Sequence, residues 1–126
     1  MIDAGAVITR YIDLVGAHDL APLQDLFDDD LVATTGGRTF DKNEWIAALD
    51  RLLPVLVRND IRRVFVDAGA ACVIYDFVTD TEAGAVPCVE WITVNEAGRM
   101  TAVELIFEKA NWAHVAAALQ ARVSAR

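Results

Sequence analysis

One carboxyl group in this chain lies where a charge is costly. Glu90 falls in the middle of a run of valine, isoleucine and tryptophan residues typical of a β-strand, and it alternates in step with Cys88 and Ile92. A carboxyl group on an apolar face must reach water or find a partner, because desolvation raises its pKa. If this face lines a cavity, Glu90 could donate a hydrogen bond when neutral or act as a base when ionised.

The sequence allows two interpretations of Glu90. In the functional one it projects into a pocket, and in the structural one it caps a sheet edge or pairs with a cation such as Arg62 or Arg63. Tyr11, on an apolar helical face, presents a similar choice. Its ring could belong to the core with a satisfied hydroxyl group, or its hydroxyl could donate a hydrogen bond to a bound molecule.

Large apolar side chains supply the expected walls of such a pocket. Aromatic residues in a small domain mostly pack in its core, and the same residues would shape a site for a hydrophobic ligand. We therefore take Tyr11 and Glu90 as the candidate catalytic residues. The candidate ligand-binding residues are Val15, Trp45, Tyr75, Phe77, Cys88, Ile92, Val103, Leu105 and Phe107.

The first half of the chain is predicted to be mainly helical. Apolar residues recur at intervals of three and four after Asp3, a suitable N-cap. Asp19 could cap a second helix that continues to Phe27 and ends at the acidic run 28–30, before a short strand at 31–35. Asp41, with a glutamate three residues later, indicates a capping box for a third helix, which Pro54 would close.

The second half is predicted to form strands. The segments 58–66, 71–79, 86–94 and 100–108 are rich in β-branched and aromatic residues and are separated by turn sequences, which favours a curved antiparallel sheet. Alternation places Cys72 and Cys88 on opposite faces, so no bridge between them is expected. A further helix is predicted over 111–124.

The sheet also carries large apolar groups on the face that helices would not cover. On 86–94 this outer face includes Val89 and Trp91, and on 71–79 it includes Ile74 and Val78. An apolar face of this kind usually meets another subunit, so we expect a homodimer formed through it.

Composition limits the partners. The chain has 126 residues and a net charge of −8, one domain's worth of sequence with a field that repels nucleic acid and anionic membranes. It has no apolar run long enough to span a bilayer and no leader-like start, so a cytoplasmic protein is expected. Neither cysteine lies in a metal-binding pattern, and we expect no metal and no cofactor.

The order of elements and several short sequence words resemble the nuclear transport factor 2-like superfamily, in its SnoaL-like and ketosteroid isomerase-like branch. The likeness covers roughly residues 3–109, which leaves 111–124 as a C-terminal helical extension of a single 1–126 domain. It implies an α+β, cystatin-like cone in which three N-terminal helices pack on the curved sheet. The words are Arg10-Tyr11-Ile12, His18-Asp19-Leu20, the acidic stretch 25–32, the helix start 41–49, and Glu96-Ala97-Gly98-Arg99-Met100.

The resemblance also implies a chemistry. In ketosteroid isomerases a tyrosine and a protonated acid form an oxyanion hole, and Tyr11 and Glu90 fall on or beside those positions. The general base of those enzymes aligns with Thr34 or Thr35, whose hydroxyl groups cannot accept a proton near pH 7. The implied function is a cofactor-independent isomerase, cyclase or dehydratase acting on a carbonyl-bearing cyclic small molecule. The alternative is a non-catalytic ligand-binding or accessory module.

Overall fold

A computed structural model describes residues 2–124. Helix α1, Ala4–Gly16, begins as predicted, because Asp3 accepts a hydrogen bond from the backbone N–H of Ala6 at 3.0 Å. Its apolar face is buried against the sheet and includes Tyr11, which is 1% exposed. This helix therefore carries the tyrosine into the core.

The second helix is shorter than predicted. Only Leu23–Leu26, helix α2, is helical, and Phe27 opens strand β1, Phe27–Thr35. The acidic run 28–30, predicted to end a helix, thus lies in the strand. Phe27 is fully buried, pairs with Met100 and contacts the Tyr11 ring edge-on at 5.6 Å. Such tertiary packing outweighs the local helical pattern.

The third helix has the predicted start. Helix α3, Lys42–Leu52, has Asp41 as its N-cap. The Asp41 side chain accepts from the Glu44 N–H at 2.8 Å, and the Glu44 side chain accepts from the Asp41 N–H at 3.0 Å. This reciprocal capping box satisfies two backbone N–H groups at the start of α3, and Trp45 lies on the buried face of the helix.

After β1 the chain forms five more strands: β2 Arg38–Phe40, β3 Leu56–Asp67, β4 Ala70–Thr79, β5 Ala85–Val94 and β6 Met100–Phe107. The six strands form one curved sheet in the order β2-β1-β6-β5-β4-β3. The prediction of an antiparallel sheet holds for every neighbouring pair except β1 and β6, which run parallel. Strand β2 was not predicted; it follows a two-residue turn at Gly36 and Gly37, both with positive φ, as a tight hairpin requires.

The predicted alternation of faces is confirmed on β4 and β5. Tyr75, Cys88 and Glu90 are buried on the inner face, toward the helices, whereas Trp91 on the outer face is 52% exposed. Cys72 lies opposite Trp91 on that outer face, so the two cysteines are on opposite faces, and both are free thiols.

The C-terminal helix packs back onto the cone. Helix α4, Trp112–Ser124, buries Val115 completely. The Arg122 guanidinium donates to the Pro54 carbonyl oxygen at 2.7 Å and pairs with Asp80 at 2.6 Å. Of the helices within residues 2–124, none is long and apolar enough to cross a membrane.

Candidate active site

A cavity of about 300 Å³ lies between the inner face of the sheet and the helices. Its wall is mainly apolar and contains both candidate catalytic residues, Tyr11 and Glu90. Most of the predicted ligand-binding residues also line it: Val15, Trp45, Tyr75, Phe77, Cys88, Leu105 and Phe107.

Two of the predicted lining residues are not in the wall. Ile92 and Val103 face inward as expected, but they pair with each other across β5 and β6 one step beyond the pair formed by Glu90 and Leu105. Both are buried, at 0% and 2% exposure, within the close-packed core. Alternation predicts the face of a residue correctly but not how far along the strand the cavity extends.

Two tyrosine hydroxyl groups bind the Glu90 carboxyl group. Tyr11 Oη donates to Glu90 Oε1 at 2.7 Å, and Tyr75 Oη donates to Oε2 at 2.5 Å. Glu90 is 2% exposed, so these bonds replace water as its hydrogen-bond donors. Each carboxyl oxygen has a second lone pair, and the group can therefore still accept from a molecule in the cavity.

Four elements form the cluster around this carboxyl group. Helix α1 supplies Tyr11, and β4 and β5 supply Tyr75 and Glu90. From α3, Trp45 Nε1 donates to Tyr11 Oη at 3.1 Å. Tyr11 is thus held between an indole donor and a carboxyl acceptor, which fixes the direction of its O–H bond.

Sequence reasoning placed Tyr75 in the wall but missed its bond to Glu90. A usable signal was the β4–β5 pairing, because Tyr75 lies directly opposite Cys88 and Glu90 is two residues further along the same face. Diagonal neighbours of this kind are within reach of a long side chain such as tyrosine.

The structural interpretation of Glu90 is wrong in both of its forms. Glu90 lies in the middle of β5, between two neighbouring strands, and does not cap an edge. Within residues 2–124 no ion pair includes it. Arg62 pairs with Asp76 at 2.6 Å on the outer face, and the Arg63 guanidinium lies 5.9 Å from the centre of the Phe65 ring.

The surroundings of Glu90 move its titration into the neutral range. Burial raises the pKa of Glu90 to about 7, although the hydrogen bonds from Tyr75 and Tyr11 work in the opposite direction by stabilising the carboxylate. Burial and the Glu90 charge raise the pKa of both tyrosines well above the usual value, and they raise the pKa of the Cys88 thiol to about 12. Near pH 7, Glu90 is therefore the group in this cluster that exchanges a proton.

At the position of the expected general base there is no side chain that can accept a proton near pH 7. Thr35 lines the cavity, but its hydroxyl donates to the Leu105 carbonyl oxygen at 2.9 Å, while Thr34 lies on the outer side of β1. Within residues 2–124 Glu90 is the only carboxylic acid in the cavity wall. Any proton transfer to or from a carboxyl group in this cavity must use it.

Several wall residues were not singled out from the sequence. Asn59 donates from Nδ2 to the Ile12 carbonyl oxygen at 3.1 Å and leaves its buried Oδ1 without a partner. Trp112 of α4 packs on Phe107 with ring centres 4.7 Å apart, so the C-terminal extension also contributes to the wall. Across residues 2–124, no three histidine, cysteine or acidic side chains converge as metal ligands would.

Comparison with known proteins gives one family and a set of shared folds. The family model described as a SnoaL-like domain matches residues 8–103. A comparison with curated proteins gives no match.

Solved structures are similar over most of the chain. A steroid delta-isomerase from Pseudomonas aeruginosa is 15% identical with a TM-score of 0.77, covering 98% of this chain and 95% of that one. An uncharacterised protein with a cystatin-like fold from Silicibacter pomeroyi is 20% identical with a TM-score of 0.77, covering 95% and 86%. A candidate polyketide cyclase from Sinorhizobium meliloti is 16% identical with a TM-score of 0.71, covering 80% and 94%. These likenesses establish the α+β cone with a cystatin-like fold.

Proposed function

The chain belongs to the SnoaL-like domain family, and on that premise we propose that it binds a small, carbonyl-bearing cyclic molecule and moves a proton on it with Glu90. The observation that carries the proposal is a buried carboxyl group in the wall of an apolar cavity, with two tyrosine donors and, within residues 2–124, no ion-pair partner. Isomerases, cyclases and dehydratases that act on carbonyl compounds all need such a proton transfer.

The first step of the proposed reaction uses the ionised form. Glu90 accepts a proton from a carbon next to the ligand carbonyl, the C–H electron pair moves into the carbonyl system, and an enolate forms. Before this step both tyrosine O–H groups donate to the carboxylate. Afterwards the neutral acid holds them less strongly, and Tyr11 or Tyr75 can donate to the enolate oxygen instead.

The second step returns the proton. Glu90, now neutral, donates it to the same or another carbon of the enolate, and the carboxylate regains its two tyrosine bonds. A pKa of about 7 supports both roles, since the proton is neither bound too tightly to return nor lost too readily to be taken up.

The alternative is a ligand-binding or accessory module with no chemistry. Its support is Thr35 at the position of the missing base, which leaves a single carboxylic acid in the described cavity wall. The two proposals differ in one respect: only the enzyme transfers protons to a bound ketone.

We further propose that the outer face of the sheet binds a second copy of the chain. Trp91, Ile106 and Val32 are 52%, 61% and 48% exposed on this face, a group of large apolar side chains that water would otherwise contact. Burying them in a symmetric contact would use the hydrophobic effect without changing the cavity on the other side.

A proton-exchange experiment tests the catalytic proposal. Cyclic ketones and lactones that raise the melting temperature are incubated with the protein in D₂O, and loss of the proton signal next to the carbonyl is followed by NMR. Glu90→Gln keeps the side-chain volume but cannot take up the proton, so exchange should slow at least ~100-fold.

The matched control is Asp76→Asn, the same chemical change on the outer face, which should leave exchange unchanged. Stabilising ligands that show no enzyme-dependent exchange with the wild type would favour the binding module instead.

A further inference from the structure

Among the described residues, one cation lies in the cavity wall. Arg38 of β2 is exposed at the mouth, and its guanidinium carbon is 5.0 Å from the centre of the Phe40 ring. Phe40 in turn packs on Trp45 with ring centres 5.4 Å apart. Within residues 2–124, Arg38 takes part in no ion pair. Its charge is therefore available to a molecule in the cavity.

The sheet register links this cation to the candidate catalytic acid. Glu90 pairs with Leu105, Leu105 with Thr35, and Thr35 with Arg38. All four residues line the cavity, so they form one row across the four strands β5, β6, β1 and β2. Three inter-strand steps of about 4.8 Å put the ends of the row roughly 14 Å apart along the sheet.

The row has a different character at each position. A buried carboxyl group with a pKa near 7 forms the inner end, an apolar residue and a hydroxyl already bonded to backbone form the middle, and an exposed guanidinium forms the outer end. A guanidinium binds carboxylate, phosphate or sulfonate groups through paired N–H donors.

From this row we propose that the ligand is an amphipathic anion. Its apolar ring system fills the cavity with the reacting carbonyl at Glu90, and its acidic group lies at the mouth against Arg38. This inference rests on the proposed ligand cavity and adds to it the charge and the approximate length of the ligand. A neutral lipophilic molecule would leave Arg38 unused.

Two fluorescent probes that differ mainly in one charge can test the inference. Anilinonaphthalene-8-sulfonate carries a sulfonate, and N-phenyl-1-naphthylamine has the same ring system without it. Arg38→Gln should weaken binding of the sulfonate probe about fivefold, the value of an exposed ion pair of ~1 kcal/mol, and leave the neutral probe unchanged. Added salt should reduce the difference in sulfonate-probe affinity between the wild type and Arg38→Gln, because the contact is exposed.

Two variants serve as controls. Arg38→Lys keeps the charge and should retain most of the affinity for the sulfonate probe, whereas Arg99→Gln removes an exposed charge outside the cavity and should change neither affinity. Melting curves of each variant establish that the fold is retained.

The affinities of the two probes distinguish the anion proposal from the cavity proposal. Equal affinities of wild type and Arg38→Gln for the sulfonate probe, or equal losses for both probes, would overturn the anion proposal while the cavity proposal stands. Failure of both probes to bind the wild type would overturn the cavity proposal itself.

Discussion

The two faces of the sheet place a carboxyl group in opposite environments. On the inner face, Glu90 is 2% exposed, has two hydroxyl donors and contacts no described cation. On the outer face, one strand away, Asp76 has a side chain 27% exposed and a salt bridge to Arg62 at 2.6 Å. Hydroxyl donors hold a carboxyl group in place without fixing its charge, whereas a guanidinium stabilises the charged form.

This difference separates a group able to do chemistry from one that stabilises a surface. Arg62 balances the charge of the Asp76 carboxylate at the surface. A carboxyl group that is desolvated and bonded only to hydroxyl groups exchanges its proton near neutral pH. The alternation of side chains along each strand lets one sheet hold both kinds of group on neighbouring strands, one on each face.

The largest effect on stability is expected from the charge of Glu90. Its pKa is 4.5 in an exposed reference state and about 7 in the fold, so between these values the folded chain holds a proton that the unfolded chain has released. Stability from this group is therefore lost as the pH rises through that window, by on the order of 3 kcal/mol in total. Glu90→Gln has no carboxyl group to ionise at this position. Its free energy of unfolding relative to the wild type should therefore rise by that amount between pH 4 and pH 8.5.

Urea unfolding of both proteins at several pH values measures this gain. Asp76→Asn is the control, because it removes a partner of Arg62 on the surface and should not gain on the wild type as the pH rises. Parallel stability curves for the wild type and Glu90→Gln would mean that Glu90 is not desolvated as described.

A smaller effect, about 1 kcal/mol for each lost hydrogen bond, is expected from removing the tyrosine hydroxyl groups. Tyr75→Phe and Tyr11→Phe should both raise the pKa of Glu90, with the larger rise for Tyr75→Phe because its bond is the shorter one. The loss of stability, in contrast, should be larger for Tyr11→Phe than for Tyr75→Phe. Tyr11→Phe also leaves the buried Trp45 N–H without its acceptor.

Carbon NMR of glutamate-labelled protein measures the Glu90 titration directly, without any substrate. Urea unfolding at a single pH gives the stability order. If both variants titrate like the wild type, the tyrosines do not bind the carboxyl group in solution, and the contrast between the two faces loses its basis.

Local patterns predicted the parts of the fold that depend on local physics. The capping residues Asp3 and Asp41 begin helices as expected, and period-two alternation places Glu90 and Trp91 on the correct faces. These features depend on neighbouring residues only, so a sequence is sufficient to find them.

The features that were missed depend on contacts between distant residues. The extension of β1 back to Phe27 comes from pairing with Met100, and the parallel β1–β6 pair joins strands far apart in sequence. The exclusion of Ile92 from the cavity likewise depends on how tightly that end of the cone is packed. Short-range patterns contain no information on such distances, which is also why the row ending at Arg38 could not be predicted.

Substitutions on the outer face should change the cavity least. They should change the assembly of the chain most. At micromolar concentration, light scattering should give about twice the chain mass of 13.7 kDa for the wild type. Trp91→Glu places a charge among the exposed apolar groups and should yield a monomer, because burying an unpaired carboxylate costs more than the contact gains. Val123→Glu, the same kind of change on α4 at a residue 59% exposed, should remain dimeric.

The same proteins show whether the faces act independently. Trp91 is adjacent to Glu90 in sequence, yet its side chain lies on the opposite side of the sheet, so Trp91→Glu should titrate at Glu90 as the wild type does. A monomeric wild type would contradict the proposal that the outer face binds a second copy of the chain. A shifted Glu90 titration in the Trp91→Glu monomer would instead mean that the two faces are coupled, through the new carboxylate or through the lost contact.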